Sequence, residues 1–175
     1  SKASNFRGLL PPIVSGSFEL IQTQVLDSNE TSVTFDSLGT YAADYKHLQI
    51  RIAAKSTGVS WGFIRANGDA AANYSRHVLQ GNGSNVSSSG SPNYTEYLFG
   101  VSGTNWGASV IDILDAFDTN KFTTFRALSG WIGADGIQLT SANWRNTNAL
   151  TSILLDLQND SWSQSSRFSL YGVKG

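Results

Sequence analysis

A regular alternation of apolar and polar side chains indicates that this chain folds into β-strands. The clearest example is KHLQIRIAAKS, residues 46–56. One side of this segment would carry Leu48, Ile50 and Ile52, and the other side would carry His47, Gln49 and Arg51. Successive side chains of a strand point to opposite faces of its sheet, so the pattern predicts one face inside a core and one face outside it.

Similar segments recur along the chain and are separated by polar turns. They include SFELIQTQVLD (17–27), TSVTFDSL (31–38), GIQLTSANWRN (136–146) and SRFSLYGVKG (166–175). VIDILDAF (110–117) also has helical spacing, but its short length and β-branched residues favour a strand. Roughly ten short strands of this kind predict an all-β fold, a single antiparallel jelly-roll-like β-sandwich over residues 16–175.

Two polar segments predict the connections. NGD at 67–69 contains an Asn-Gly pair, which tolerates positive φ and predicts a hairpin between the flanking strands. NGSNVSSSGSPN, residues 82–93, predicts a long exposed loop, because its residues order poorly and bury little surface. The last segment of the chain is expected to be a paired strand with Phe168 and Leu170 buried.

Residues 1–15 differ from the rest of the chain. Pro11 and Pro12 disfavour a regular strand, which predicts an extended arm. Its apolar side chains suit a groove on a partner protein, and the candidates for this contact are Phe6, Leu9, Leu10 and Ile13. The alternative is that the arm folds back over its own sandwich.

Composition narrows the range of functions. The chain has 12 Lys and Arg against 13 Asp and Glu, and charged residues make up only 14%. This balance predicts no attraction to nucleic acid or to an anionic membrane surface. Cysteine is absent, and no segment resembles a signal peptide or a membrane helix, so we expect synthesis in a reducing cytoplasm.

Catalytic and cofactor motifs are missing from the sequence. It contains no nucleophile elbow, phosphate loop, dinucleotide fingerprint or zinc-protease motif. His47 and His77 lie on different predicted strands. Asp112 and Asp115 resemble a glycosidase carboxylate pair, but residues three apart on a strand face opposite sides. We therefore expect no enzyme activity, cofactor or metal site.

The five tryptophans permit two interpretations. Exposed rings at strand ends, with Trp61 and Trp144 as the candidates, could stack against sugar rings. Alternatively, the rings close the ends of the sandwich or fill subunit interfaces, where tryptophan is enriched.

Several blocks of the sequence resemble a family of small virion proteins encoded by tailed bacteriophages. The most specific are YKHLQIR (45–51) and RFSLYGVKG (167–175), and the likeness extends over residues 16–175. The resemblance implies a structural component of a phage particle. It fits both capsid decorations and tail-associated modules.

Our leading expectation is therefore a capsid decoration or cement protein located in the virion. It would bind outside the assembled lattice of the major capsid protein, as a homo-oligomer that we expect to be a trimer. The alternative is a tail-fibre or tail-tip module that binds glycan on the host surface. A third possibility, a polysaccharide depolymerase, is disfavoured by the missing catalytic motifs.

Overall fold

The computed structural model describes residues 16–131 and 136–175. Within these residues the chain forms one short 3-10 helix, Leu38–Tyr41, and twelve β-strands. The strands are β1 (Phe18–Val25), β2 (Ser32–Phe35), β3 (His47–Ala54), β4 (Ser60–Ala66), β5 (Tyr74–Gly81), β6 (Val86–Tyr94), β7 (Tyr97–Ser102), β8 (Gly107–Leu114), β9 (Thr123–Trp131), β10 (Gly136–Trp144), β11 (Ile153–Leu157) and β12 (Arg167–Val173). The predicted arm, residues 1–15, lies outside the described residues.

The strands form two antiparallel sheets. The large sheet has eight strands in the order β1-β12-β3-β8-β9-β10-β5-β6, and the small sheet has four in the order β2-β11-β4-β7. The edge strand β7 of the small sheet packs over β8, β9, β10 and β5 of the large sheet. The prediction of an all-β antiparallel sandwich is confirmed.

Strand β3 shows how the alternating pattern builds the core. Leu48, Ile50 and Ile52 are buried, whereas Arg51 is exposed on the outer face of the large sheet. The buried side chains pack against residues of the small sheet such as Ile64. Each large aliphatic side chain buried in this way contributes about 1.5–3 kcal/mol to folding.

The last strand, β12, lies between two strands from the first third of the chain. It pairs with β1 on one side and with β3 on the other. Phe168 and Leu170 are fully buried, as the sequence predicts. The aromatic rings of Phe168 and Trp162 pack in a T-shaped arrangement, with ring centroids 5.1 Å apart.

The Asn-Gly turn does not form the predicted hairpin. Asn67 and Gly68 do adopt positive φ, at 52° and 68°, but β4 and β5 belong to different sheets. The side chain of Asn67 instead bonds to the backbone of Ala149, Thr151 and Ser152. The Asn-Gly dipeptide reverses the chain direction locally. The contacts of Asn67 hold the segment in which the chain passes from the small sheet to the large sheet.

The predicted loop at 82–93 is largely a strand. Residues from Val86 onward form β6, which pairs with β5 along the edge of the large sheet. Most side chains of β6 are exposed. An edge strand needs only backbone hydrogen bonds to one neighbour, so a serine-rich segment can form one without burying apolar side chains.

Candidate binding surfaces

The histidines and aspartates that the sequence analysis considered are not gathered at one place in the structure, although Nδ1 of His47 lies 3.7 Å from Oδ1 of Asp115. No group of three or more metal-ligating side chains occurs among the described residues. His47 is half-buried and accepts the backbone N–H of Asp115 at its Nδ1, and His77 is exposed on β5. Asp112 accepts hydrogen bonds from Gln49 and Arg126, whereas Asp115 is paired with a lysine beyond the end of β8.

The outer face of the large sheet carries a row of aliphatic side chains across four adjacent strands. Backbone pairing places Val110 opposite Leu128, Leu128 opposite Leu139, and Leu139 opposite Leu79. Their exposed fractions lie between 40% and 51%. We call these four residues, together with the exposed Ile137 beside them, the apolar row.

A shallow groove of about 300 Å³ runs along part of the apolar row. Its lining includes Val110, Leu128 and Ile137, and the small residues Ala108 and Gly130 lie between them. Ala108, Gly130 and Ile137 are paired with one another across β8, β9 and β10. The surface at the apolar row is therefore grooved and not flat.

In this part of the large sheet the usual polarity is inverted. Leu139 and Ile137 of β10 point outward, whereas Gln138 and Thr140 are completely buried. The buried pair is stabilised by a hydrogen bond of 3.1 Å from Nε2 of Gln138 to Oγ1 of Thr140. On β9, Leu128 likewise points outward, between inward-facing small residues.

A polar network lies beside the apolar row. Gln49 donates to Asp112 at 2.8 Å, and Arg51 donates to Gln49 at the same distance. The guanidinium of Arg51 also lies 4.5 Å from the ring centroid of Tyr171. These contacts fix the charged side chains in place beside the row, so the outer face combines an apolar strip with a polar border.

Trp61 lies in a different region, at the junction of two cavities. The first, of about 330 Å³, is lined by Trp61 and Trp131 together with Gln80, Asn82 and Asn85. The second, of about 420 Å³, shares Trp61 and Gln80 and adds aromatic and charged side chains. We call the two cavities together the Trp61 groove.

The position of Trp131 in the first cavity is set where the end of β9 pairs with the start of β10. Gly136 is the backbone partner of Trp131, and a β-carbon at Gly136 would collide with the indole ring. The ring thus lies directly over a residue without a side chain. Its N–H is shielded from solvent and has no hydrogen-bond partner among the described residues.

Charged residues border the second cavity. Arg76 stacks on Tyr94, with its guanidinium carbon 3.7 Å from the ring centroid. Glu96 accepts hydrogen bonds from Arg65 at 2.6 and 2.9 Å. Each acid or base at this end of the groove is therefore already positioned by a neighbour.

Asp156, on the outer face of the small sheet, extends this charge cluster. Its carboxylate lies 3.6 Å from Arg65. Burial raises the pKa of Asp156 above its usual range, although the charge of Arg65 opposes that effect. The carboxylate of Glu96 adds to the raised pKa. The cluster is therefore one cation, Arg65, paired with two carboxylates, Glu96 and Asp156.

The structure separates the two tryptophans that the sequence suggested as sugar-stacking residues. Trp61 is 39% exposed and lines both cavities, whereas Trp144 is 1% exposed. The indole N–H of Trp144 donates to Asp69 inside the fold, so this ring is not exposed at the surface for stacking against a sugar. The arm candidates Phe6, Leu9, Leu10 and Ile13 lie outside the described residues.

The sequence pattern predicted neither the position of Trp131 beside Trp61 nor the apolar row. Both depend on which strands pair and in which register. The signal that could have indicated the row is the pattern IQL in β10, which places two aliphatic residues on the side opposite Trp144.

No protein-family model matches this chain, and no curated protein sequence is significantly similar to it. Within the described residues, no helix is long and apolar enough to cross a membrane.

Proposed function

We propose that this chain is a structural protein of a tailed-bacteriophage particle, and specifically a capsid decoration protein. It would bind the outside of the assembled lattice of the major capsid protein. The observation that carries the proposal is the inverted polarity around β10, where Leu139 is exposed while Thr140 is buried. Large aliphatic side chains arranged in register on an outer face are typical of a surface that contacts another protein.

The mechanism follows from mass action. A protein that binds only the assembled lattice lowers the free energy of that state, so disassembly becomes less favourable. Burying the apolar row would supply the driving force, and the network around Asp112 would lie at the polar rim of the contact. The proposal includes no catalytic step and no cofactor.

The arm and the oligomer remain parts of the proposal. Residues 1–15 would extend the contact to neighbouring subunits through Phe6, Leu9, Leu10 and Ile13. A homo-oligomer, which we expect to be a trimer, would match a symmetry axis of the lattice. Sedimentation equilibrium of the purified chain measures the oligomeric state directly.

The location of the protein on the phage particle tests the proposed function. Antibody labelling of intact particles, viewed by electron microscopy, should show the protein on the head. Label on the tail would instead favour the alternative, a tail-fibre or tail-tip module that binds host glycan, for which the exposed Trp61 is the supporting observation. Label on neither part would overturn both proposals.

The contact surface is tested by co-sedimentation with capsids that lack this protein. The double variant Leu128→Asp and Leu139→Asp should bind at least about tenfold more weakly, because it places two charges in the apolar contact. Thr34→Asp, on the exposed face of the small sheet, is the matched control and should bind normally. Equal binding by the double variant would exclude the apolar row as the contact.

A further inference from the structure

We propose that the Trp61 groove binds a neutral oligosaccharide. This inference concerns a different surface from the apolar row, and its test uses the isolated protein, so it does not require the location on a particle to be known. Two features carry it: the pairing of exposed and half-buried indoles in one cavity, and the uncharged amide side chains around them.

Residues from several separate elements line the first cavity. Trp61 comes from β4 of the small sheet, Trp131 from the end of β9, and Asn82 from the turn between β5 and β6. Gly136 allows the ring of Trp131 to lie close to the backbone. The aromatic rings are thus positioned by strand ends and by packing, which is the rigidity that a ligand-binding site needs.

One amide group of the cavity is also held in place. Oδ1 of Asn82 accepts the backbone N–H groups of Ser84 and Asn85, at 3.1 and 2.8 Å. This fixes the orientation of the Asn82 amide, whose remaining polar group is its NH₂. Gln80 and Asn85 add amides that can both donate and accept hydrogen bonds.

The character of the lining limits the chemistry of the ligand. No described residue that lines the first cavity is charged, so a phosphate or a sulfate would find no cation there. A purely apolar ligand would leave several amides buried without partners, which is unfavourable. A sugar matches both features, because its C–H faces pack on indole rings and its hydroxyl groups pair with amides.

The second cavity extends the site beyond a single sugar ring. It adjoins the first through Trp61 and Gln80 and contains Tyr94 and Gln158. Its two charged lining residues are already engaged, because Arg76 stacks on Tyr94 and Glu96 is paired with Arg65. Volumes of about 330 and 420 Å³ each fall within the range of small-molecule sites. Trp61, at the junction, would contact sugar units in both cavities, so we expect an oligosaccharide to bind more tightly than a monosaccharide.

The test uses the purified full chain without any particle. Maltotetraose, cellotetraose and chitotriose are titrated separately, and binding is followed by tryptophan fluorescence and by calorimetry. At least one should bind saturably with a dissociation constant of about 1 mM or lower. The corresponding monosaccharides should bind more weakly. Glucose 6-phosphate should bind no more tightly than glucose.

Substitutions identify the site. Trp61→Ala should weaken binding at least about tenfold. Trp106→Ala removes another exposed tryptophan, which packs under Lys55 outside the groove, and should leave binding unchanged. Thermal unfolding checks that both variants are folded, and Trp61→Phe replaces Trp61→Ala if the latter is not. Failure of all three oligosaccharides to bind at about 10 mM, or equal binding by the folded Trp61 variant, would overturn the inference.

Discussion

The indole N–H of Trp144 donates a hydrogen bond to Oδ2 of Asp69 across 2.7 Å. The same carboxylate accepts the side chain of Asn73 and the backbone N–H of Ala71, each at 2.9 Å. Asp69 therefore ties the segment between β4 and β5 to the end of β10. This explains how a chain reversal that crosses between sheets is held in one conformation.

Removing that carboxylate should destabilise the fold. Asp69→Ala leaves the buried indole N–H of Trp144 without its acceptor, which costs about 1–3 kcal/mol in the free energy of unfolding. Asp69→Asn retains an acceptor oxygen, so its free energy of unfolding should fall by less. Denaturant titration at pH 7 measures both variants, and an Asp69→Ala protein as stable as the wild type would contradict this role.

The stability that Asp69 provides should depend on pH. Burial tends to raise its pKa, but hydrogen bonds from Asn73, Trp144 and Ala71 outweigh burial and lower it. The folded state then binds this proton less tightly than the unfolded state. The contribution is complete above the usual aspartate pKa of about 4 and is lost as pH falls through the lowered value. The difference in stability between wild type and Asp69→Asn should narrow in acid.

The strand β12 provides a prediction about the core. Phe168→Ala should lower the free energy of unfolding by about 3–5 kcal/mol, because it empties a fully buried site against Trp162. Arg167→Ala changes an exposed neighbour in the same strand and should cost less than about 1 kcal/mol. Chemical denaturation measures the free energy of unfolding of both variants. Similar decreases for the two would mean that β12 is not a core strand.

Gly136 is expected to control the position of Trp131. In Gly136→Ala the new methyl group meets the six-membered ring of the Trp131 indole, so the indole should tilt away and reshape the first cavity. The near-ultraviolet circular dichroism and the fluorescence of the protein should change. Gly130→Ala, where a β-carbon has no contact closer than 3.9 Å, should change neither signal.

The strands were predictable where alternation reflects a single buried face. In β3 and β12 the aliphatic residues point into the core, so the pattern gives both the strand and its orientation. In β10 the rule fails, because Leu139 is exposed and Thr140 is buried. Alternation identifies a strand of this kind but does not determine which face is covered.

The candidate sites were less predictable than the fold. Trp61 and Trp144 both lie in strands with polar neighbours, and only the packing of the two sheets buries one and exposes the other. Similarly, the pairing of β4 with β11 instead of β5 depends on contacts between residues far apart in sequence. Local composition at the Asn-Gly turn contains no information about those contacts.

The position of β12 between β1 and β3 has a consequence for biosynthesis. When Ala54 has been translated, β1 and β3 are both present, but the strand that joins them begins only at Arg167, more than a hundred residues later. The small sheet has the same arrangement, because β2 pairs only with the late strand β11 among the described strands. Each sheet can therefore be completed only after its late strand, β11 or β12, has been translated. Closing such long loops makes folding slow and leaves the early strands dependent on protection from aggregation in the meantime.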